Sequence, residues 1–119
     1  GMPRFATPRL PTTERQDIVL GIFGINPTRA ALIRQLAVAT EGHTSGELAE
    51  QIGVAYQTLL AHLRKLEAYG LVHVTDDARP LYSIDRDALD AALGDAVDYL
   101  NGNDAGGGAT RRTEARRYM

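Results

Sequence analysis

TSGELAEQIGVAYQTLLAHLRKLEAYGLV, residues 44–72, reads as two helices joined by a tight turn and followed directly by a strand. Leu48, Ala49 and Ile52 put one apolar stripe on a short first helix. Gly53 supplies the turn, because a missing side chain permits the positive φ that other residues resist. Val54 plugs the corner. Leu59, Leu63 and Leu66 then repeat at helical spacing on a second helix, expected over 55–69. Gly70 ends that helix as a left-handed cap, and Leu71, Val72 and Val74 open a strand. Two short helices at a fixed angle, the second partly exposed, suit the insertion of a helix into a DNA major groove.

Outward from this stretch the pattern continues in both directions. Pro3, Pro8 and Pro11 keep residues 1–12 from forming a regular element, so a flexible N-terminal arm is expected there. Thr12 or Thr13 caps a first helix through about Phe23, with Ile18, Val19, Ile22 and Phe23 as a broad apolar face. Asn26-Pro27 breaks the chain and starts a second helix that runs to about Ala39 and buries Ala31, Leu32, Leu36 and Val38. Beyond Gly70 the apolar period changes from 3.6 to 2. Residues 71–75 and 81–84 are two short strands around the turn Asp76-Asp77-Ala78-Arg79-Pro80, a β-hairpin wing. A last helix over 87–100 carries Leu89, Ala92, Leu93, Ala96, Val97 and Leu100 on one side and stops at Asn101-Gly102-Asn103. The expected fold is mainly α with a small β-hairpin, in the order α-α-α-α-β-β-α. One domain over 13–101 is expected, followed by a disordered Gly/Arg-rich tail at 102–119.

Composition narrows the chemistry. The 119 residues suffice for one domain with its own core. No apolar run approaches the ~18 residues that span a bilayer, and the N-terminus lacks the apolar centre of a secretory signal, so a cytoplasmic protein is expected. There is no cysteine, which excludes thiolate metal sites and thiol catalysis. Twelve arginines against one lysine, with abundant Ala and Gly, suggest a GC-rich bacterial genome. No catalytic constellation or Gly-rich phosphate loop is present, so neither an enzyme nor a cofactor is expected. From Glu14 to Leu100 thirteen acids face seven bases. The basic residues gather at the ends, Arg4 and Arg9 in front and Arg111, Arg112, Arg116 and Arg117 behind. A nucleic-acid reader with such an acidic body must place its few arginines locally.

The order of elements resembles the winged helix-turn-helix repressors of the ArsR type, over residues 14–100. Thr58, the pair His62-Leu63 and the following Arg64 stand where that family carries a Thr, a His-Leu pair and a basic residue. The run LEAYGLV, 66–72, is similar to its junction into the wing. The resemblance implies a homodimer packed through the first and last helices, here with Ile18, Ile22, Phe23, Leu93, Val97 and Leu100 at the interface. It also implies binding to double-stranded DNA and repression relieved by a ligand or a metal. The chain departs from the family in three places. Ala55-Tyr56-Gln57 replaces a Ser cap and polar residues, Leu60-Ala61 replaces Ser and Arg, and the metal-binding cysteines are missing. Metal sensing at the family's usual sites is therefore not expected.

The residues expected at DNA are Thr44, Ser45, Tyr56, Gln57, Thr58, Leu60, Ala61, Arg64 and Arg79. Gln57 suits adenine, Arg64 suits phosphate or guanine, and an apolar pair such as Leu60-Ala61 suits a thymine methyl. Arg79 at the wing tip suits a phosphate or the minor groove. The bland alternative for each is a solvated helix face or loop. His62, beside Leu59 and Leu66, reads as a partly buried packing residue, and the helix acids Asp87, Asp90, Asp95 and Asp98 are accounted for by solvation and the helix dipole. Two other functions fit the same residues: a winged-helix module that binds protein, or a small-molecule sensor whose DNA contacts are secondary.

Overall fold

The structure is a computed structural model and describes residues 8–39 and 41–103. Most of the expected tail, 104–119, lies outside the described residues, as do residues 1–7 of the arm. Five helices and a two-stranded antiparallel hairpin follow in the order α1 (Glu14–Ile22), α2 (Pro27–Val38), α3 (Ser45–Ile52), α4 (Tyr56–Ala68), β1 (Val72–Val74), β2 (Tyr82–Ile84) and α5 (Arg86–Leu100), a winged helix-turn-helix fold. The chain divides into two compact units with the boundary between Asp85 and Arg86, so α5 forms a unit separate from the elements before it.

Local chemistry sets each boundary of the first unit. Thr13 caps α1 in a reciprocal box: its hydroxyl accepts from the Gln16 N–H, and the Gln16 side chain accepts from the Thr13 N–H. Asn26 caps α2 by accepting from Thr28 and Arg29, with Pro27 in the first turn where no N–H is missed. Thr44 and Glu47 form a second capping box on α3. Gly53 closes α3 at φ +81°, its N–H donating to the Ala49 carbonyl, which also accepts from Val54. After α4, Gly70 sits at φ +77° with bonds from Gly70 to Glu67 and from Leu71 to Leu66, the paired closure of a Schellman motif.

The core lies where α2, α3 and α4 converge on the first wing strand. Leu32, Leu36, Leu48, Ile52, Leu59, Leu63, Leu66 and Val72 are essentially inaccessible to solvent. Each such side chain contributes about 1.5–3 kcal/mol relative to exposure, so this cluster dominates a hairpin of only three ladder pairs. Val38, expected in the core, is 64% exposed. It lies about 200° round α2 from Leu36 and so cannot share its face.

The wing pairs Val72 with Ile84, His73 with Ser83 and Val74 with Tyr82. Its root is tied to the start of α3, because His43 and Tyr82 exchange both backbone hydrogen bonds, at 3.0 and 2.7 Å. Residues 8–12, part of the expected flexible arm, also touch the fold. The Arg9 N–H donates to the Ile52 carbonyl at 2.6 Å, its guanidinium donates to the Glu50 carbonyl at 3.0 Å, and Leu10 packs against the core.

In the second unit, α5 buries Gly94 and Asp98 and exposes Leu93, Val97, Tyr99 and Leu100. It ends as the sequence indicates, with Gly102 at φ +71° and the Asn103 N–H returning to the Asp98 carbonyl.

The two left-handed turns differ in what surrounds them. A Cβ at Gly70 would meet open space, whereas one at Gly53 would lie 2.5–2.7 Å from the Arg9 side chain. We expect Gly70→Ala to cost about 1–2 kcal/mol from its φ alone, and Gly53→Ala to cost more. In an Arg9→Ala background the two costs should converge. Urea unfolding of the four variants checks this, and equal costs with Arg9 present would refute the contact.

Candidate nucleic-acid interface

The face of α4 that the core leaves free is defined by helical geometry. Leu59, Leu63 and Leu66 are buried on one side, and Gln57, Ala61 and Arg64 recur at i, i+4 and i+7 on the opposite side, all exposed. Thr58 is exposed on the flank. Leu60, expected in the same exposed group, instead packs partly buried against the core. At about 100° per residue it lies about 40° round the helix from Arg64, on the flank between the exposed stripe and the core.

The start of α4 carries no side-chain cap, since Ala55 occupies that position. Tyr56 partly takes over. It remains 48% exposed, and its hydroxyl lies 3.1 Å from the Ser45 hydroxyl in the first turn of α3. The N-termini of α3 and α4 thus share a pair of linked hydroxyls, beside amide groups with unused N–H donors. Thr44 is committed to the capping box of α3, where its N–H and hydroxyl both donate to Glu47. These two bonds, the backbone one first, hold the Glu47 carboxyl below the usual carboxylate range, with smaller contributions of the same sign from the charge of Arg79 and from His43. Arg79 stands on the exposed turn of the wing, whose second strand is tied to the start of α3 through Tyr82 and His43. The structure brings Ser45, Tyr56 and the wing together on this end, with Gln57, Ala61 and Arg64 continuing along α4.

Two contacts here have no signature in the sequence. The Arg29 Nε–H on α2 donates to His62 Nδ1 on α4 at 3.2 Å, which requires that imidazole nitrogen to be unprotonated. Burial pushes the His62 imidazole below its ordinary value of 6.5, and the Arg29 charge acts in the same direction. His62 is thus a half-buried packing residue, as its neighbours indicated, but also an acceptor that fastens α4 to α2. The second contact is a hydrogen bond at the wing, between His73 Nε2 and the Asp85 carboxylate at 2.9 Å. Among the described residues no group of His and acidic side chains is arranged to hold a metal ion. No helix of the described residues is long and apolar enough to cross a membrane.

Fold and exposed surface together define a winged helix-turn-helix module. Residues 25–75 match the family model described as a helix-turn-helix domain, a span from the cap of α2 to the end of β1. No curated protein matches the chain in sequence. Similar solved structures include the ST1889 protein of the thermoacidophilic archaeon Sulfolobus tokodaii, with a TM-score of 0.60 and 24% identity over 76% of this chain and 91% of that one. NolR of Sinorhizobium fredii aligns with a TM-score of 0.50 and 29% identity over 77% and 96% of the respective chains. The DNA complex of MepR from Staphylococcus aureus, a transcription regulator of the multidrug efflux pump MepA, aligns with a TM-score of 0.54 and 17% identity over 87% and 89%.

The His62 contact gives stability a pH dependence of known sign. The unfolded chain takes up this proton near 6.5 and the folded chain only at lower pH. The contribution is therefore complete above 6.5 and is lost as pH falls from there through the folded value. We expect the urea midpoint to drop between about pH 7.5 and about pH 5.5, and His62→Gln, which cannot titrate, to reduce that drop. An identical pH dependence in the two proteins would refute the assignment.

Proposed function

We propose that the protein is a DNA-binding transcriptional regulator that acts as a homodimer, of the ArsR-like kind, and represses by occupying an inverted repeat. The observation that carries this reading is the exposed Gln57–Ala61–Arg64 stripe on α4, opposite the buried leucines and beside the Ser45–Tyr56 hydroxyl pair. Gln57 bonds an adenine edge, Ala61 meets a thymine methyl, and Arg64 takes a phosphate or guanine. Ser45, Tyr56 and Thr58, with the Thr44-capped end of α3, fix the register on the phosphate backbone, and Arg79 adds a wing contact. Leu60, on the flank of this stripe and partly packed on the core, adds an apolar edge that suits a thymine methyl. The DNA-bound MepR structure shares this fold, which supports the docking mode.

The homodimer reading rests on exposed apolar side chains in both units. On α1, Ile18, Ile22 and Phe23 are 57, 73 and 43% exposed, and on α5, Leu93, Val97 and Leu100 are 50, 38 and 60% exposed. Exposed apolar side chains on each of these helices support an interaction surface there. A second copy on these helices sets two α4 helices about 34 Å apart, one turn of duplex. Residues 13–101 act as the functional module in this scheme, and the basic tail adds sequence-independent attraction.

Selection from random duplex followed by fluorescence anisotropy tests the reading. Affinity for the selected site should fall steeply with salt. Arg64→Ala should reduce the salt slope by about one, and Gln57→Ala should cost about 1–3 kcal/mol and relax specificity at one base pair. Absence of duplex binding at low salt would overturn the proposal in favour of a protein-binding module. Unchanged affinity in both variants would remove α4 as the reader.

A further inference from the structure

Between the N-terminal strap, α1 and α2 lies a groove of about 540 Å³, within the ~300–1,000 Å³ range of small-molecule sites. Leu10 and Pro11 of the strap, Val19 of α1 and Ala31 of α2 are among its apolar walls. Two cations line it as well, Arg15 from α1 and Arg34 from α2, and no acidic residue does. Neither arginine has a carboxylate partner among the described residues. An apolar groove with two unpaired guanidinium groups is complementary to a small anion whose remaining surface is apolar, because each guanidinium forms its strongest hydrogen bonds with carboxylate-like oxygens.

The wall of this groove is continuous with the clamp on the helix-turn-helix. Leu10 and Pro11 face the groove, and the preceding residue, Arg9, spans the end of α3 through the Ile52 and Glu50 carbonyls. Its side chain also lies over Gly53, the turn from which α4 departs. A cation at this helix end is favoured by the carbonyl dipoles it covers. A ligand that contacts the docked strap favours the docked state, and whatever that state does to the α3–α4 turn is linked to ligand binding.

We propose that this groove is a binding site for a small organic anion with an apolar body, and that the Arg9–Leu10 strap couples its occupancy to the placement of α4. The coupling half rests on the DNA-regulator reading above; the binding half does not. Occupancy holds the strap in place, makes the α3–α4 turn more rigid and thereby tightens operator binding.

The probes are naphthalene-2-carboxylate and its neutral counterpart naphthalene-2-carboxamide, titrated into the full chain without DNA and followed by calorimetry and amide NMR. The carboxylate should bind more tightly than the amide and shift the amides of Leu10, Thr12 and Thr13. The double variant Arg15→Gln/Arg34→Gln should weaken carboxylate binding about tenfold or more while leaving the amide unchanged. Equal affinity of the two probes, or no effect of the double variant, overturns the site. So does conversion of a dimer to a monomer on saturation, because the groove is then the seat of a second copy. For the coupling, saturating carboxylate should tighten operator binding about fivefold or more in the parent chain and leave Arg9→Ala unaffected, although Arg9→Ala still binds the probe. An unchanged or weakened operator affinity in the parent chain overturns the strap's role. A chain that binds the carboxylate but no DNA at all refutes the DNA-regulator reading and the coupling, and leaves the anion site standing.

Discussion

The angle between α3 and α4 governs everything the first unit presents to its surroundings, and one contact set fixes it. Leu48 and Ile52 on α3 and Leu59 and Leu63 on α4 are fully buried together, and Gly53 makes the only short route between the helices at φ +81°. Neither part suffices alone. Without the leucines the turn would hinge freely, and without a residue tolerant of positive φ the chain would need a longer loop and the helices would separate. Arg9 adds a third constraint by satisfying carbonyl groups at the end of α3 that the helix leaves without partners. The exposed stripe of α4 is a consequence of this packing: once three leucines point inward, Gln57, Ala61 and Arg64 point outward.

The wing depends on the same frame. A hairpin of three residue pairs is marginal by itself, yet Val72 belongs to the central core and Tyr82 pairs with both Val74 and His43. The paired strands are thereby attached to α4 at one end through the Gly70 closure and to the start of α3 at the other. Arg79 is carried on the exposed turn between these two strands.

Features set by local chemistry were legible in the sequence. The cap at Thr13, the helix start at Asn26-Pro27, the glycine stops at positions 53, 70 and 102, and the change from period 3.6 to period 2 all act through a few neighbouring residues, and all stand where the sequence places them. What was not legible depends on tertiary placement. Leu60 and Val38 each look apolar enough for either side of a helix, and only the position of the core decides that Leu60 is partly covered and Val38 exposed. The Arg29–His62 bond links residues 33 apart, and the Arg9–Glu50 bond residues 41 apart, so no spacing rule detects them. The apolar residues of α1 show why periodicity alone does not establish a core. Ile18, Ile22 and Phe23 have the pattern of a buried face and remain exposed within the chain.

The charge distribution follows the same logic of placement over total. The chain carries a formal net charge of −2, and its central region is more acidic still. Glu47 is occupied with two bonds from Thr44, and Asp85 with the His73 imidazole, so these carboxylates are held by local partners. Arg64 and Arg79 remain exposed on α4 and the wing, and Arg15 and Arg34 line a groove that has no acid in it. At physiological salt the Debye length is about 8 Å, so an anion near any of these guanidinium groups responds to that group more than to the distant excess of acids. An acidic domain can therefore present separate cationic sites, one pair on the exposed α4 and wing surface and another in the groove beneath the strap. Arg9, between the groove wall and the α3–α4 turn, is the covalent neighbour of one site and the mechanical neighbour of the other.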